Sequence, residues 1–270
     1  MTQRNEYQDS EYLLSQYKDS SNLGDRAQIH NRFSSNPIGW FPWVFTYLNL
    51  EPGNEVLECG AGPGWLWRNN LDHIPENCHI IITDFSPGMV EEAKNGLEGF
   101  GDLFDFEVAD VQDLIFTDNS FDTVIANHML YHVPRLDKGL AEIKRILKPN
   151  GNLIASTVGN GHMQEIRQLV VNLIPELGTV GNFFQPYFSL ETGSEKLPPF
   201  FSSIERFNYQ NQLHITDVDS VVAYIMSSSV IGSLYDSTKL KLLIQKTEEI
   251  IAEKGYFQVT TNSGLFRAKV

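Results

Sequence analysis

Short apolar-rich runs and longer amphipathic stretches alternate through the first part of the chain. Glu55–Cys59, Cys78–Thr83, Phe104–Val108, Phe121–Ala126 and Leu153–Val158 have strand length. Between them, Trp65–Ile74, Gly88–Leu97 and Arg135–Leu147 carry apolar residues at helical spacing, the last with Leu136, Leu140, Ile143 and Leu147 on one face. Strands alternating with helices predict an α/β fold with a parallel sheet. Ser86-Pro87 supplies a cap and a first-turn proline for the second helix, and Lys148-Pro149-Asn150-Gly151 stops the third.

Past the fifth strand the pattern loosens. Met163–Leu177 reads as helix, Ile204–Tyr209 as a sixth strand, Asp217–Ser227 and Thr238–Lys254 as helices, and Tyr256–Thr260 and Leu265–Val270 as terminal strands. The connection over residues 159–202 is long and holds Phe183, Phe184, Tyr187, Phe188, Phe200 and Phe201. It predicts an aromatic cap insertion over a pocket, with packing over the sheet as the alternative; residues 215–255 read as a helical insertion. Residues 1–35 form a polar lead ahead of a body over 36–270, and Tyr7, Tyr12, Leu13 and Tyr17 in that lead suit a short amphipathic helix. The aromatic-dense stretch 30–48 reads as a loop and helix covering the sheet edge, or as an N-terminal lid that brings Arg32 to a ligand carboxylate.

The chemistry is concentrated at strand ends. After the first strand come Gly60, Gly62 and Gly64 in the run Glu58-Cys59-Gly60-Ala61-Gly62-Pro63-Gly64. Strand, glycine turn and helix is the context of a nucleotide-binding turn, where a ligand must approach the backbone with no Cβ in the way. A dinucleotide fingerprint wants its third glycine one residue later, where Trp65 stands. Glu58 would repel a pyrophosphate and suits a ligand with an amino group. Asp84, Asp110 and Asn127 end the next three strands, at the sheet edge where open α/β folds bind ligands. Asp84 has the spacing of an acid that meets ribose hydroxyls, or it stabilises a helix N-terminus. Met89, one turn on, can pack on an adenine face. Asp110 with Val111 suits an adenine edge, or Asp110 is a solvated loop acid.

Together Glu58–Gly64, the acidic loop Asp84–Met89, Asp110-Val111 and Phe121–His128 resemble the core of the class I S-adenosylmethionine-dependent methyltransferases of small-molecule type. Arg145–Gly151 before the fifth strand is also typical of that family. The resemblance covers about residues 50–160. It implies a Rossmann-like, doubly wound, seven-stranded sheet whose last strand is antiparallel. It implies that Glu58 helps hold the methionine end of S-adenosylmethionine, although many relatives have Asp there. Gly60, Ala61, Gly62 and Gly64 would line methionine and ribose, Asp84 with Phe85 and Ser86 the ribose, and Met89, Asp110 and Val111 the adenine. The backbone at Asn127 and His128 would flank the sulfonium. The function implied is methyl transfer to a small-molecule acceptor, with S-adenosylhomocysteine as product. An NAD-dependent oxidoreductase and a cofactor-binding module without methyl transfer are the alternatives.

A general base is needed only if the acceptor must lose a proton. His132, His128 and Tyr131 are the candidates, histidine for its near-neutral pKa. His128 and His132 would share a face if helical, but no third metal ligand stands at a recognisable spacing, so no metal site is read. The 270 residues are 41% hydrophobic and 20% charged, ordinary for a globular protein. A net charge of −14 without a long basic run argues against nucleic acid and anionic membrane as partners. Cys59 and Cys78 lack metal spacing and point to a reduced, cytoplasmic compartment. Met1–Ser21 is too polar for a signal peptide, and no apolar run reaches the ~18 residues of a membrane span. Both monomer and homodimer are compatible with this composition.

Overall fold

The computed structural model describes residues 10–178 and 186–270; Tyr7, Phe183 and Phe184 lie outside them. The strands are β1 Glu55–Cys59, β2 His79–Asp84, β3 Phe104–Val108, β4 Phe121–Asn127, β5 Leu147–Val158, β6 Ser203–Tyr209, β7 Gln212–Ile215, β8 Phe257–Thr260 and β9 Ser263–Lys269. The helices include α1 Ser10–Gln16, α2 Ser21–Phe33, α3 Trp40–Phe45, α4 Trp65–Arg68, α5 Pro87–Gly96, α6 Leu136–Ile146, α7 Gln164–Leu173, α8 Val218–Met226 and α9 Ser237–Lys254.

Seven strands form one sheet in the order β3-β2-β1-β4-β5-β9-β6. β1 to β5 run parallel, and β9 runs antiparallel between β5 and β6. This is the expected α/β, Rossmann-like sheet with its last strand reversed. Chain direction switches sides at β1 and β4, and that places the ligand crevice at their C-terminal ends. One face of the sheet packs under α6, whose Leu136, Leu140, Ile143 and Ile146 are buried. The other face holds Val56, Ile80, Ile82 and Trp67, with Ala93 from α5.

Local chemistry explains where the elements stop. α5 starts as predicted, with Ser86 Oγ accepting from the Met89 N–H and Pro87 in the first turn. The helix expected over Trp65–Ile74 is only one turn, followed by a 3₁₀ turn at Leu71–His73. Asn69 and Asn70 end it by donating their side-chain amides to the Trp65 and Leu66 carbonyls, the competition that makes Asn a poor helix interior residue. β5 begins earlier than expected, at Leu147, because the Lys148–Gly151 stretch is strand with a register irregularity against β4, and Asn150 there takes a left-handed conformation.

A second apolar cluster stands beside the sheet. It joins Ile29 and Phe33 of α2, Ile166 and Val170 of α7, Val221 and Ile225 of α8, and Leu243 of α9 to the β7–β8 ribbon. Capping fixes these helices: Asp217 accepts from the Ser220 N–H, and Asp236 from the Thr238 and Lys239 N–H groups. The aromatic residues expected in the cap divide otherwise. Phe188 and Phe201 are buried in the sheet cluster, with Phe200 packed against it, because the chain returns along β5 and β9 there. Trp43 and Tyr47 of the 30–48 stretch contact Tyr209 and Phe207 of the edge strand β6, covering that edge. α2 packs with α8 and β7, so this part of the polar lead is a wall of the second cluster.

Candidate active site

The C-terminal ends of β1, β2, β3 and β4 open into a cavity of about 720 Å³, roofed by α1, α2, α7 and α8. At its floor Gly60, Gly62 and Gly64 all have positive φ, which explains three glycines in five residues. A Cβ on Gly60 would stand 2.7 Å from the Met129 Cβ, while one on Gly64 would press on Ala93 and Leu97. Gly60 and Gly62 therefore line the cavity and Gly64 serves the packing of α5 behind it.

Asp84 closes the turn. Its Oδ2 accepts from the Gly62 N–H at 2.9 Å and its Oδ1 from the Ser86 N–H at 2.8 Å. Burial raises its pKa against the pull of these donors. An ionised carboxylate has about four acceptor sites; with the Phe85 N–H also drawing on it, one is left for a hydroxyl on a ligand. Asp110 accepts from both the backbone N–H and the side-chain amide of Gln112. Gln112 was not foreseen, and it fixes the carboxylate beside Val111. Ala61, Phe85, Ser86 and Met89 line the same half of the cavity.

Glu58 departs from expectation. It is 1% exposed and does not line the cavity. β1 alternation turns its side chain to the face that holds Trp67, behind the glycine turn. Burial pushes its carboxyl up to about 8, the Trp67 indole opposes this, and the charge of Asp84 adds to it. Its Oε2 is buried with no hydrogen-bond partner. The sign is that of a carboxyl with a folded pKa above its unfolded value. Its contribution to stability is complete below about 4.5 and is lost as pH rises toward 8. Glu58→Gln is expected to raise the melting temperature relative to the parent, by more at pH 8 than at pH 5; an equal gain at both would show that the carboxyl does not titrate in this window.

Asn127 and His128 follow β4. Asn127 Oδ1 accepts from the Ser156 hydroxyl and, at 3.3 Å, from the Trp40 indole. His128 has φ 56°, and its N–H is held by Ser156. It therefore leaves the strand in a left-handed bend and shares no helix face with His132, which sits in a 3₁₀ turn at Leu130–His132. Trp40 lies against the His128 ring, centroids 4.8 Å apart. Burial, with His30 and His132 nearby, lowers the His128 pKa to about 3. Such a ring is neutral at working pH and a poor proton acceptor. Burial pushes Tyr131 far above the ordinary phenol range, which also removes it as a base.

His132 is different. Its Nε2 lies 3.0 Å from the hydroxyl of Tyr17 on α1, and its ring meets those of Tyr17 and Tyr131 edge to face. Among the described residues, then, the structure gathers His132, His128 and Tyr131 on one wall, and His132 is hydrogen-bonded to Tyr17. Arg32 does not reach the cavity. It pairs with Asp217 at 2.7 Å and with Ser220, which removes the reading that set it against a ligand carboxylate. Arg26, His30, His162, Arg167 and Tyr224 line the cavity instead, and none was foreseen. His162 stands four residues past the end of β5, and extending the strand-end rule by one strand would have found it.

The link between α1 and α2 lies over the first turn of α5. The Ser20 N–H donates to Glu92, and a Cβ on Gly88 would overlap the Lys18 carbonyl. Tyr17 thus reaches His132 from a strap laid across the glycine-turn side of the cavity.

Among the described residues no group of three His, Cys, Asp or Glu is placed to hold a metal ion, and no helix is long and apolar enough to cross a membrane. Residues 57–155 match a family model described as a methyltransferase domain. A ubiquinone/menaquinone biosynthesis C-methyltransferase of Hydrogenovibrio crunogenus is 32% identical over 117 residues, 43% of this chain and 46% of that protein. A demethylmenaquinone methyltransferase of Clavibacter sepedonicus is 36% identical over 102 residues, 38% of this chain and 40% of its own length. The matches span less than half the length of these relatives. A phosphoethanolamine N-methyltransferase 2 of Haemonchus contortus shares the fold with TM-score 0.59 and 20% identity, covering 97% of this chain and 59% of that one. With its sheet order and its glycine turn, the stretch 57–155 is similar to the methyltransferase domain of the class I S-adenosylmethionine-dependent enzymes.

Proposed function

We propose that the chain transfers a methyl group from S-adenosylmethionine to a small-molecule acceptor. The observation that carries this reading is one cavity with two chemically distinct halves: Gly60, Gly62, Asp84 and Asp110 at the strand ends, and the Tyr17–His132 pair under the cap. The residues present fit the cofactor. Asp84 keeps acceptor capacity for a ribose hydroxyl, Gly60 and Gly62 present bare backbone to the cavity, and Val111 sits beside the fixed Asp110. Bound S-adenosylmethionine supplies an electrophilic methyl group.

The chain's own residues orient the acceptor and manage its proton. Alignment of reactants accounts for roughly 7–11 kcal/mol in such displacements, which is the role of the helices that roof the cavity. His132 takes the acceptor's proton where the acceptor is a hydroxyl or amine, and Tyr17, hydrogen-bonded to its Nε2, holds the ring in register. The named relatives act on quinone precursors and on a phosphoethanolamine, which supports a small acceptor; two buried, free cysteines support a cytoplasmic setting. Calorimetric titration with S-adenosylmethionine, S-adenosylhomocysteine and NAD is the test. Micromolar binding of the adenosyl compounds without NAD is expected; NAD binding alone would overturn the reading.

A further inference from the structure

Sheet order divides the cavity. Asp84 and Asp110 follow from β2 and β3 on one side of β1, while Asn127 and His162 follow from β4 and β5 on the other. His162 is held by two interlocked turns. The Gly159 N–H donates to the Asn262 carbonyl and the Met163 N–H to the Thr260 carbonyl, and a Cβ on Gly159 would overlap the Asn262 side chain. Met163 takes a left-handed conformation with φ 53°, a strain that only over-determining surroundings maintain. This packing brings the Asn262 N–H to His162 Nδ1 at 3.3 Å, with the Ser263 hydroxyl at the same distance. A backbone N–H can only donate, so Nδ1 accepts and the neutral ring carries its proton on Nε2. Burial keeps the ring neutral, holding its pKa well below the ordinary range. The Nε2–H has no partner among the described residues and is not sealed inside the protein, and the ring lines the cavity. His30 stacks on one face of it, centroids 5.7 Å apart and planes 13° from parallel, so that face is closed to a ligand. Met163 joins Ile166, Val170 and Ile225 in the second apolar cluster, and all four line the cavity too.

From this arrangement we propose that His162 is a specificity-determining residue, its Nε2–H donating to a carbonyl oxygen on the apolar body of the methyl acceptor. The proposal rests on the methyltransferase reading above. The ring cannot take the opposite role. Accepting at Nε2 would require the proton to move to Nδ1, against the Asn262 N–H. A ligand group with only hydrogens to offer therefore meets a donor and is rejected. A hydrocarbon in the same place leaves the N–H dehydrated and unpaired, which is how a polar site discriminates against an analogue lacking the matching group. One uncharged donor fills a larger share of a carbonyl's acceptor capacity than of a carboxylate's, which has about four sites to satisfy. The neutral oxygen is the better match.

The test uses the full chain saturated with S-adenosylhomocysteine, titrated with 2-acetylnaphthalene, its hydrocarbon isostere 2-isopropenylnaphthalene, and 2-naphthoate. The ketone is expected to bind at least tenfold more tightly than the hydrocarbon, the scale of one buried donor left unpaired, and more tightly than naphthoate. His162→Asn sets a side-chain oxygen near the place of Nδ1, so it still accepts from Asn262 but has lost the cavity donor. It should bring the ketone down to the hydrocarbon, with hydrocarbon and S-adenosylhomocysteine affinities unchanged. His162→Gln, whose amide reaches the place of Nε2, should keep part of the preference. A purely structural role would weaken both probes together and leave their ratio as in the parent. His162→Phe, which keeps the ring volume without the N–H, replaces an asparagine variant that does not fold. A ketone no tighter than the hydrocarbon in the parent would overturn the proposal, and so would a preference that survives loss of the donor. Naphthoate binding more tightly than the ketone would overturn the carbonyl assignment. If the parent does not bind S-adenosylhomocysteine, the same titrations are run on the chain alone, and the cofactor reading fails as a separate result.

Discussion

Asp84→Ala is expected to weaken S-adenosylhomocysteine binding at least tenfold. Two losses combine. The carboxylate's own bonds to the ligand go, and hydrogen bonds to a charged acceptor contribute about 1.5–3 kcal/mol. The Gly62 and Ser86 N–H groups also lose the acceptor that fixes the turn. Asp84→Asn separates these: it keeps an acceptor of the same shape but not the charge, and should retain part of the turn geometry with weaker binding. Calorimetry on both variants, with melting curves as a fold control, measures the effect. Unchanged affinity in a folded Asp84→Ala would remove this residue from the site.

His132→Ala is expected to lower kcat by ~10²–10⁴ when the acceptor is a hydroxyl or amine, the range of a general base, with cofactor affinity retained. Tyr17→Phe should lower it less, since the ring packing against His132 survives and only the 3.0 Å hydrogen bond is lost. His128→Asn, by contrast, should affect binding more than the pH profile of kcat, because its ring is neutral across the working range. Single-turnover rates against pH for the three variants decide between these roles. A full rate in His132→Ala would mean that the acceptor needs no protein base.

The readable part of the site is the part that local chain order writes. Gly60, Gly62, Asp84, Asp110 and Asn127 each end a strand or follow one directly, so strand prediction places them together without any long-range knowledge. The cap half has no such rule. Tyr17 and His132 are 115 positions apart, and Arg26 and Ser227 are 201 apart; no periodicity links them. Glu58 misled because its place in the motif was legible while the face of β1 it occupies was not. Alternation assigns it to the Trp67 side only once β2 and β4 are known to flank β1. The short β7 was missed because four residues, Gln212–Ile215, carry little pattern of their own. Phe188 and Phe201 were aromatic signals with two readings, and the return of the chain along β9 chose the sheet.

The position of β9 bears on synthesis. Ser263–Lys269 is an interior strand, bonded to β5 on one side and β6 on the other. Until residue 269 has left the ribosome, β5 presents an open edge and β6 has no neighbour in the sheet. The part of the chain that binds the cofactor can assemble from contacts made early, but the platform under the cap is sealed only by pairing across more than a hundred positions. Such non-local closure is slow and leaves unpaired strand edges exposed meanwhile. A nascent chain of this protein is therefore vulnerable to aggregation until β9 emerges.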